Sequence, residues 1–354
     1  MIPYWIFFGY PAWKALTKPK DPFSPQQTLF LILALSCVIG LRFEVGGDWE
    51  IYLENQASIS GSSVLEVVTN TLQDPGFEFL SWLSDVMGMS IYGVNFICAL
   101  IFSIGLVLFC RAQPRPWFAL TLSIPYLVIV VAMGYTRQCV AIGLAMLAIL
   151  ALEKSELRKF FLFLAFAALF HKTAVIMSAA ALPIIGKGGK LGDKLVKAFI
   201  ILLIAAALAY TLLLPRLDFY MYGYEHQAMQ SQGAGIRVAM NAVPALLLIA
   251  FQRRFNLTSV QRVIWLGLAY LGLACVVGLV VFDSSTAVDR LALYCIPLQM
   301  FVGARLTDLN LVKVSKRIIT VIVIFAAASI QLIWLNFAIT AFAWLPYKNI
   351  LIPL

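Results

Sequence analysis

Residues that can do chemistry lie at the ends of otherwise apolar segments of this chain. Arg137 occurs in GYTRQ, His171 in FHK and Arg290 in DR, while Asp48 follows two glycines in VGGDWEIY. Arginine binds phosphate oxygens through parallel N–H groups and does not lose its charge. A carboxylate or an imidazole can take the proton of an attacking hydroxyl. Together these residue types suit a transfer reaction in which a pyrophosphate departs.

Apolar segments must position these residues, because 62% of the 354 residues are hydrophobic and only 12% are charged. A soluble core cannot absorb so much apolar surface, so the composition predicts an all-α, polytopic transmembrane protein with about 12 spans. The whole chain, 1–354, is expected to form a single transmembrane domain. Spans are predicted at 2–16, 26–43, 91–110, 116–133, 136–152, 158–170, 172–186, 195–214, 236–252, 260–282, 287–305 and 317–344. The short pair around His171 predicts either two short spans or one re-entrant unit.

The distribution of basic residues predicts the orientation. Alternate loops hold most of the 26 Lys and Arg residues, and the opposite loops hold most of the 17 acids. Basic loops face the cytoplasm, so both termini are expected on the outer, periplasmic side. The net charge of +9 therefore reflects topology, and no nucleic-acid partner is expected. The cysteines show no metal-ligand spacing, and no metal site is expected.

Seven basic residues oppose this topological bias, and five of them are arginines. Charges near membrane depth are costly, and they are usually paired or functional. The seven are Arg42, Arg137, Lys172, Arg216, Arg237, Arg290 and Lys348. One interpretation is a pyrophosphate site at the level of the outer headgroups. The alternative is simple anchoring at the interface, with Arg290 paired to Asp289 and Arg216 to Asp218.

Two outer segments, 44–90 and 215–235, are long enough to have structure of their own. The second carries Tyr222, Glu225 and His226 and ends in glycines. This composition is typical both of a substrate-binding loop or lid and of an aromatic belt at the membrane interface. Asp48 has an alternative role as a helix cap. The alternative role of His171 is that of a hydrogen-bonded structural residue. The predicted topology nevertheless places five of these residues at the same depth in the membrane, namely Asp48, Arg137, His171, Glu225 and Arg290.

Several segments resemble the EpsG-like family of Wzy-type polysaccharide polymerases. They are VGGDWEIY (45–52), GFEFLSWL (76–83), GYTRQCVAIGLAMLAI (134–149), FHKTAVIM (170–177) and DRLALY (289–294). The resemblance implies a GT-C-like membrane glycosyltransferase of the bacterial plasma membrane. Such an enzyme polymerises oligosaccharide repeat units carried on undecaprenyl pyrophosphate at the outer face, making O-antigen or exopolysaccharide. It works with inversion and without a metal or other cofactor.

The resemblance also implies roles for individual residues. Catalysis would fall to Asp48, His171 and Glu225. Pyrophosphate or sugar would be bound by Arg137, Arg290, Arg237, Lys172 and Tyr222. Gly47 and Trp49 replace the Thr and Tyr most typical of the family, which leaves the sugar preference open. Expected partners are the lipid-linked oligosaccharide, membrane lipid, a chain-length regulator and other assembly proteins.

Three other functions share this composition. A flippase or transporter of lipid-linked oligosaccharides would place ionisable residues at the bilayer midplane, whereas here they collect at one face. A membrane O-acyltransferase would also use a buried histidine, but outer arginines suit a pyrophosphate better than a thioester. A structural member of an assembly complex would not need the misplaced arginines.

Overall fold

The computed structural model describes residues 1–69, 74–185, 191–208, 233–282, 285–309 and 313–351, and most of these residues are helical. The α-helices are α1 Ile2–Thr17, α2 Pro25–Gly40, α3 Trp49–Ile59, α4 Val64–Thr69, α5 Pro75–Val86, α6 Ser90–Arg111, α7 Pro116–Ser123, α8 Thr136–Glu153, α9 Leu157–Phe170, α10 Leu191–Leu208, α11 Ala234–Phe251, α12 Ser259–Val281, α13 Ser285–Ala292, α14 Ile296–Leu306 and α15 Lys316–Phe337. Short 3₁₀ helices cover Lys172–Ala181, Gln252–Phe255, Leu293–Cys295 and Ile339–Trp344. Within these residues, extended pairing is limited to an isolated antiparallel bridge between Arg42 and Asn349. The predicted all-α class is confirmed.

Six helical segments in the described residues are long and apolar enough to cross a membrane. They are Ser90–Arg111, Thr136–Glu153, Ala234–Phe255, Ser259–Val281, Ser285–Leu306 and Lys316–Phe337. The apolar helices Pro25–Gly40, Pro116–Ala132 and Lys172–Ala181 are shorter than the roughly 20 residues of a perpendicular crossing. The predicted count of about 12 spans is therefore not confirmed, although the helix positions agree closely with the predicted segments.

Two of the predicted spans have irregular helical structure. The segment predicted at 116–133 begins as α7 and continues as a π-helix over Ile124–Ala132, with Pro125 in its first turn. Segments of π-helix often occur at functional sites. The segments on either side of His171 are α9 and a 3₁₀ helix, and His171 itself lies in the break between them. The predicted discontinuity at His171 is thus present.

The chain divides into two compact units. The first unit contains Met1–Leu147, Leu169–His171 and Gly303–Leu354, and the second contains Ala148–Ala168 and Lys172–Val302. In the first unit, α6 packs closely against α2 and α8. A Cβ added to Gly105 would lie 2.1 Å from the carbonyl oxygen of Gly143, so these two backbones can approach only because both residues are glycine.

Helix α15 is a long apolar helix of the first unit. Its 22 residues extend about 33 Å, which matches the thickness of a hydrocarbon core. Lys316 begins the helix, and the 3₁₀ helix that follows it brings Ala343 to the backbone of Gly46, with N–H to oxygen at 2.8 Å. Lys316 and the Gly46–Asp48 segment therefore lie at opposite ends of this unit.

A buried ion pair lies near Lys316. The Arg115 side chain is 4% exposed, and it donates to the Ala304 carbonyl at 3.0 Å and to Asp308 Oδ1 at 2.7 Å. Lys316 Nζ also donates to Asp308 Oδ1, at 3.0 Å. The hydrogen bond from Arg115 holds the pKa of the Asp308 carboxyl well below its usual value. The pair joins the segments that precede α7 and follow α14.

Replacing Asp308 by Asn is expected to lower the free energy of unfolding by about 1–2 kcal/mol, because it leaves the buried Arg115 charge without a carboxylate. Solvent screening keeps the loss moderate, since Asp308 is 43% exposed. A carboxylate with a lowered folded-state pKa stabilises the protein above its unfolded-state pKa, and this stabilisation is lost as the pH falls through the folded-state value. Thermal unfolding in detergent at pH 7 and at successively lower pH measures both effects.

Asp21→Asn is the matched control, because Asp21 pairs with Lys18 at 3.8 Å and both side chains are 60% exposed. It should change stability by less than about 0.5 kcal/mol. Equal melting temperatures for the Asp308 and Asp21 variants at pH 7 would contradict a stabilising role for the Arg115 pair.

Candidate functional site

The segment between α2 and α3 is held by a buried arginine. Arg42 is 1% exposed, and it donates to the carbonyls of Ile39 at 2.6 Å and Val45 at 2.8 Å and to the hydroxyl of Thr136 at 2.9 Å. Its guanidinium also lies 5.9 Å from the centre of the Trp49 ring. These contacts offset the cost of burying the charge. Arg42 opposes the topological bias because it fixes the backbone before Asp48.

Of the two glycines before Asp48, Gly46 is required by close packing and by its backbone conformation, whereas Gly47 has room for a Cβ. Gly46 has a φ of +114°, and a Cβ there would lie 2.0 Å from the carbonyl oxygen of Met133. A Cβ on Gly47 would touch the Trp344 ring at 3.4 Å. The chain turns tightly at Gly46, two residues before Asp48, and the turn lies against the residues that precede α8.

The C-terminal segment closes over this turn. The Phe43 amide donates to the Lys348 carbonyl at 3.1 Å, and Lys348 Nζ lies 2.6 Å from Glu44 Oε2. Trp344 is 1% exposed and donates its indole N–H to the Ile129 carbonyl at 2.7 Å. Lys348 therefore pairs with an acid at this end, which gives it a structural reason to oppose the bias.

Asp48 occupies the N-cap position of α3, but its side chain makes no capping hydrogen bond. The Asp48 carboxylate instead accepts a hydrogen bond from the hydroxyl of Tyr52, one turn later, at 3.4 Å. Burial and then the charge of Asp48 raise the pKa of Tyr52, so this hydroxyl stays a neutral donor. The proposed capping role receives no support from this geometry.

Arg137 lies between aromatic rings and a carboxylate. Its guanidinium is 5.8 Å from the ring centres of both Tyr52 and Phe77, and Nη1 is 3.5 Å from Asp74 Oδ2. Since Tyr52 touches both Asp48 and Arg137, the two residues belong to one cluster. The Arg137 side chain is 26% exposed, which leaves part of it open to an anionic ligand.

A third carboxylate, on Glu78, extends this cluster. Glu78 is 2% exposed and accepts from the Asn55 side-chain amide at 3.3 Å. Burial raises the pKa of the Glu78 carboxyl, while the Asn55 contact opposes that change. The acidic groups of the cluster are therefore in different environments, since Asp48 is partly exposed and Glu78 is buried.

Tyr52, Asn55, Asp74 and Glu78 were not singled out as site residues from the sequence. A helical spacing of four relates Asp48 to Tyr52 and Asp74 to Glu78, and this spacing was the available signal. It gains meaning only when 49–59 and 75–86 are known to be helices that pack together. We call the set Asp48, Tyr52, Asn55, Asp74, Phe77, Glu78 and Arg137 the Arg137 cluster.

His171 belongs to the same unit as this cluster. The start of α5 lies against the end of α9, since a Cβ on Gly76 would come 3.0 Å from the Leu169 carbonyl oxygen. His171 follows two residues later and is partly buried. Lys172, which is exposed, begins the 3₁₀ helix and belongs to the second unit. Their roles in catalysis and binding stay predictions.

The second unit holds the other predicted arginines. Arg237 donates from Nη2 to Asp289 Oδ2 at 2.6 Å and from Nε at 3.0 Å, which is a two-point pair. The sequence offered Arg290 as a partner of Asp289 in the anchoring alternative, and the pair of Asp289 with Arg237 was not predicted. Arg290 is exposed. The phosphate contacts predicted for Arg237 and Arg290 stay predictions.

Tyr222 and Glu225, together with the Arg216 and Asp218 pair, lie outside the described residues. Of the predicted loop at 215–235, the described residues include only 233–235. Among the described residues there is no group of three or more His, Cys, Asp or Glu side chains placed to hold a metal ion.

Comparison with known proteins identifies a family. The model of the EpsG family matches residues 27–349, which include every residue of the Arg137 cluster. No curated protein and no solved structure matches the chain. The family match and the six long apolar helices fit a membrane polysaccharide polymerase in general. Because the match covers most of the chain, this protein belongs to the EpsG family.

Proposed function

We propose that this protein is a membrane glycosyltransferase of the Wzy type, which joins oligosaccharide repeat units carried on undecaprenyl pyrophosphate. The observation that carries the proposal is the Arg137 cluster. It combines a partly exposed guanidinium, a partly exposed carboxylate and aromatic rings at one end of apolar helices. Such a surface offers both a cation for pyrophosphate and a base for a sugar hydroxyl.

In the proposed reaction, Asp48 accepts the proton of an acceptor hydroxyl on the incoming lipid-linked repeat. The oxygen of that hydroxyl forms a bond to the anomeric carbon of the growing chain. The bond from that carbon to the pyrophosphate oxygen breaks, and undecaprenyl pyrophosphate leaves with the electron pair. Attack from the opposite face inverts the anomeric configuration.

Arg137 stabilises the negative charge that develops on the departing pyrophosphate. A cation placed where charge develops acts most strongly in a partly dry site, because there the effective dielectric constant is low. Asp74 orients the guanidinium from 3.5 Å. The Tyr52 and Phe77 rings flank the guanidinium and also offer apolar faces for the sugar. His171, Lys172, Arg237, Arg290, Tyr222 and Glu225 remain proposed contacts to the same substrate.

The proposed orientation places the Arg137 cluster on the outer face of the bacterial plasma membrane. The two ends of α15 support this topology. The end that begins at Lys316 is basic, as expected for the cytoplasmic side, and the other end lies toward the Gly46–Asp48 segment. Both termini on the outer side, about 12 crossings and a single transmembrane domain remain part of the proposal. A transporter is less well supported, because Arg137 is the second residue of α8 and does not lie at mid-helix.

The test uses the natural substrate of the host. Deleting the gene is expected to leave lipid-linked single repeats, which can be extracted and mixed with the purified full-length protein. A ladder of longer chains on a gel, formed also with a chelator present, supports a metal-independent polymerase. Single repeats that stay unchanged would contradict the proposal, provided that a cooperative thermal transition shows the protein to be folded. Acylated single repeats would indicate an O-acyltransferase instead.

A further inference from the structure

An open cavity of about 510 Å³ lies at the end of the first unit opposite the Arg137 cluster. It is lined by the last turn of α1 and the residues after it, by the residue before α7, by the residue after α14, and by the first turns of α15. The polar and charged side chains that matter for ligand binding are Lys20, Arg115, Thr307, Lys316, Arg317 and Thr320. Its volume lies within the range of small-molecule binding sites.

The cavity carries an excess of positive charge. Four of its lining side chains are cations, and the neighbouring carboxylate of Asp308 neutralises part of this charge through Arg115 and Lys316. Lys20 and Arg317 are exposed and make no ion pair among the described residues. These two residues are therefore the cations most available to an anionic ligand.

A buried hydroxyl in the lining is an independent sign of a ligand. Thr307 is 1% exposed, and its Oγ1 has no hydrogen-bond partner within the described part of the chain. Leaving such a group unsatisfied costs about 1–3 kcal/mol. Thr307 precedes Asp308, and α15 begins across the cavity at Lys316. A phosphate oxygen in the cavity would satisfy this hydroxyl and meet the positive end of α15.

We propose that this cavity binds the phosphate headgroup of an anionic phospholipid from the leaflet opposite the Arg137 cluster. Basic pockets between membrane helices on the cytoplasmic side are suited to such headgroups. Apolar side chains adjoin the cavity, since Val321, one turn after Arg317 on α15, is 48% exposed, and Trp13 on α1 is 55% exposed. Acyl chains can lie along these side chains, which favours a lipid over a soluble phosphate. The inference does not depend on the polymerase proposal.

Native mass spectrometry of the delipidated full-length protein, titrated with phosphatidylglycerol, tests the site. Removing both exposed cations in Lys20→Gln/Arg317→Gln is expected to weaken binding about 30-fold, since each contributes roughly a tenfold factor or somewhat less. Thr307→Val, which removes only the hydroxyl, should weaken it by about three- to tenfold. Neither change touches the Arg115–Asp308 pair, so both proteins should fold.

The matched control is Lys194→Gln/Arg253→Gln, which removes the same charge outside the cavity. It should bind phosphatidylglycerol as the unaltered protein does. An equal loss in this control would mean general charge attraction and would overturn the site. Equal affinity for phosphatidylcholine would overturn the requirement for an anionic headgroup. Full displacement by millimolar inorganic phosphate, with equal thermal stabilisation, would overturn the assignment to a lipid.

Discussion

Replacing Arg137 by Gln is expected to lower the rate of polymer formation by about 100-fold, with the protein still inserting in the membrane. The loss follows from removing the cation that stabilises the departing pyrophosphate, for which one lost group typically costs 100- to 1,000-fold. Arg137→Lys should lose about tenfold, because an ammonium keeps the charge but not the two-point geometry. Initial rates on the extracted lipid-linked repeat, measured by ladder gel, give both values.

The observed pair with Asp74 makes a competing explanation possible, in which Arg137 only stabilises the fold. The exchange variant Asp74→Arg/Arg137→Asp separates the two roles, because it keeps an ion pair with the charges reversed. A structural role predicts that the exchange restores both thermal stability and polymer formation. A pyrophosphate role predicts restored stability without activity. Polymer formation near the normal rate in the exchange variant would remove Arg137 from the mechanism.

Helix positions could be predicted from the sequence because apolar runs end at charged or turn-forming residues. The predicted spans 91–110 and 260–282 differ by one residue at each end from Ser90–Arg111 and Ser259–Val281. The number of crossings could not be predicted in the same way. Apolar composition does not distinguish a complete span from a shorter apolar helix such as Pro25–Gly40.

The partners of the arginines were the least predictable part of the site. Adjacent residues on a helix point about 100° apart, so Asp289 next to Arg290 in sequence says little about which arginine it binds. The observed partner, Arg237, is 52 residues away. Asp74 and Arg137 are 63 residues apart and were placed on the same face only by topology. Sequence reasoning could therefore not predict the pairing of these charges.

Arg42 shows why an unusual charge is not always a functional one. It was grouped with Arg137 because both oppose the positive-inside bias. Arg42 is held by two backbone carbonyls and a hydroxyl at 1% exposure, whereas Arg137 keeps part of its guanidinium open. A sequence contains the charge but not the fraction of it that a substrate can reach. The structure thus reduces the number of candidate phosphate ligands in the first unit.

Replacing Asp48 by Asn is expected to reduce polymer formation by about 100- to 1,000-fold, because an amide cannot take the proton of the acceptor hydroxyl. The expected loss applies to the catalytic rate and leaves the binding of the lipid-linked repeat nearly unchanged. Tyr52→Phe should cost less, about tenfold, since it removes only the hydroxyl that orients the carboxylate. Single-turnover rates and binding of the extracted repeat, measured separately, distinguish the two effects.

Asn and Ser are as good at the N-cap position as Asp, and this equivalence tests the capping alternative for Asp48. If Asp48 only caps α3, then Asp48→Asn and Asp48→Ser should both polymerise normally. If Asp48 is the base, both variants should lose activity with little change in thermal stability. Asp48→Ala should then lose activity to the same extent as these two. The observed lack of a side-chain capping bond already favours the second outcome. Normal activity of Asp48→Ser would return the search for the base to His171 and the buried Glu78.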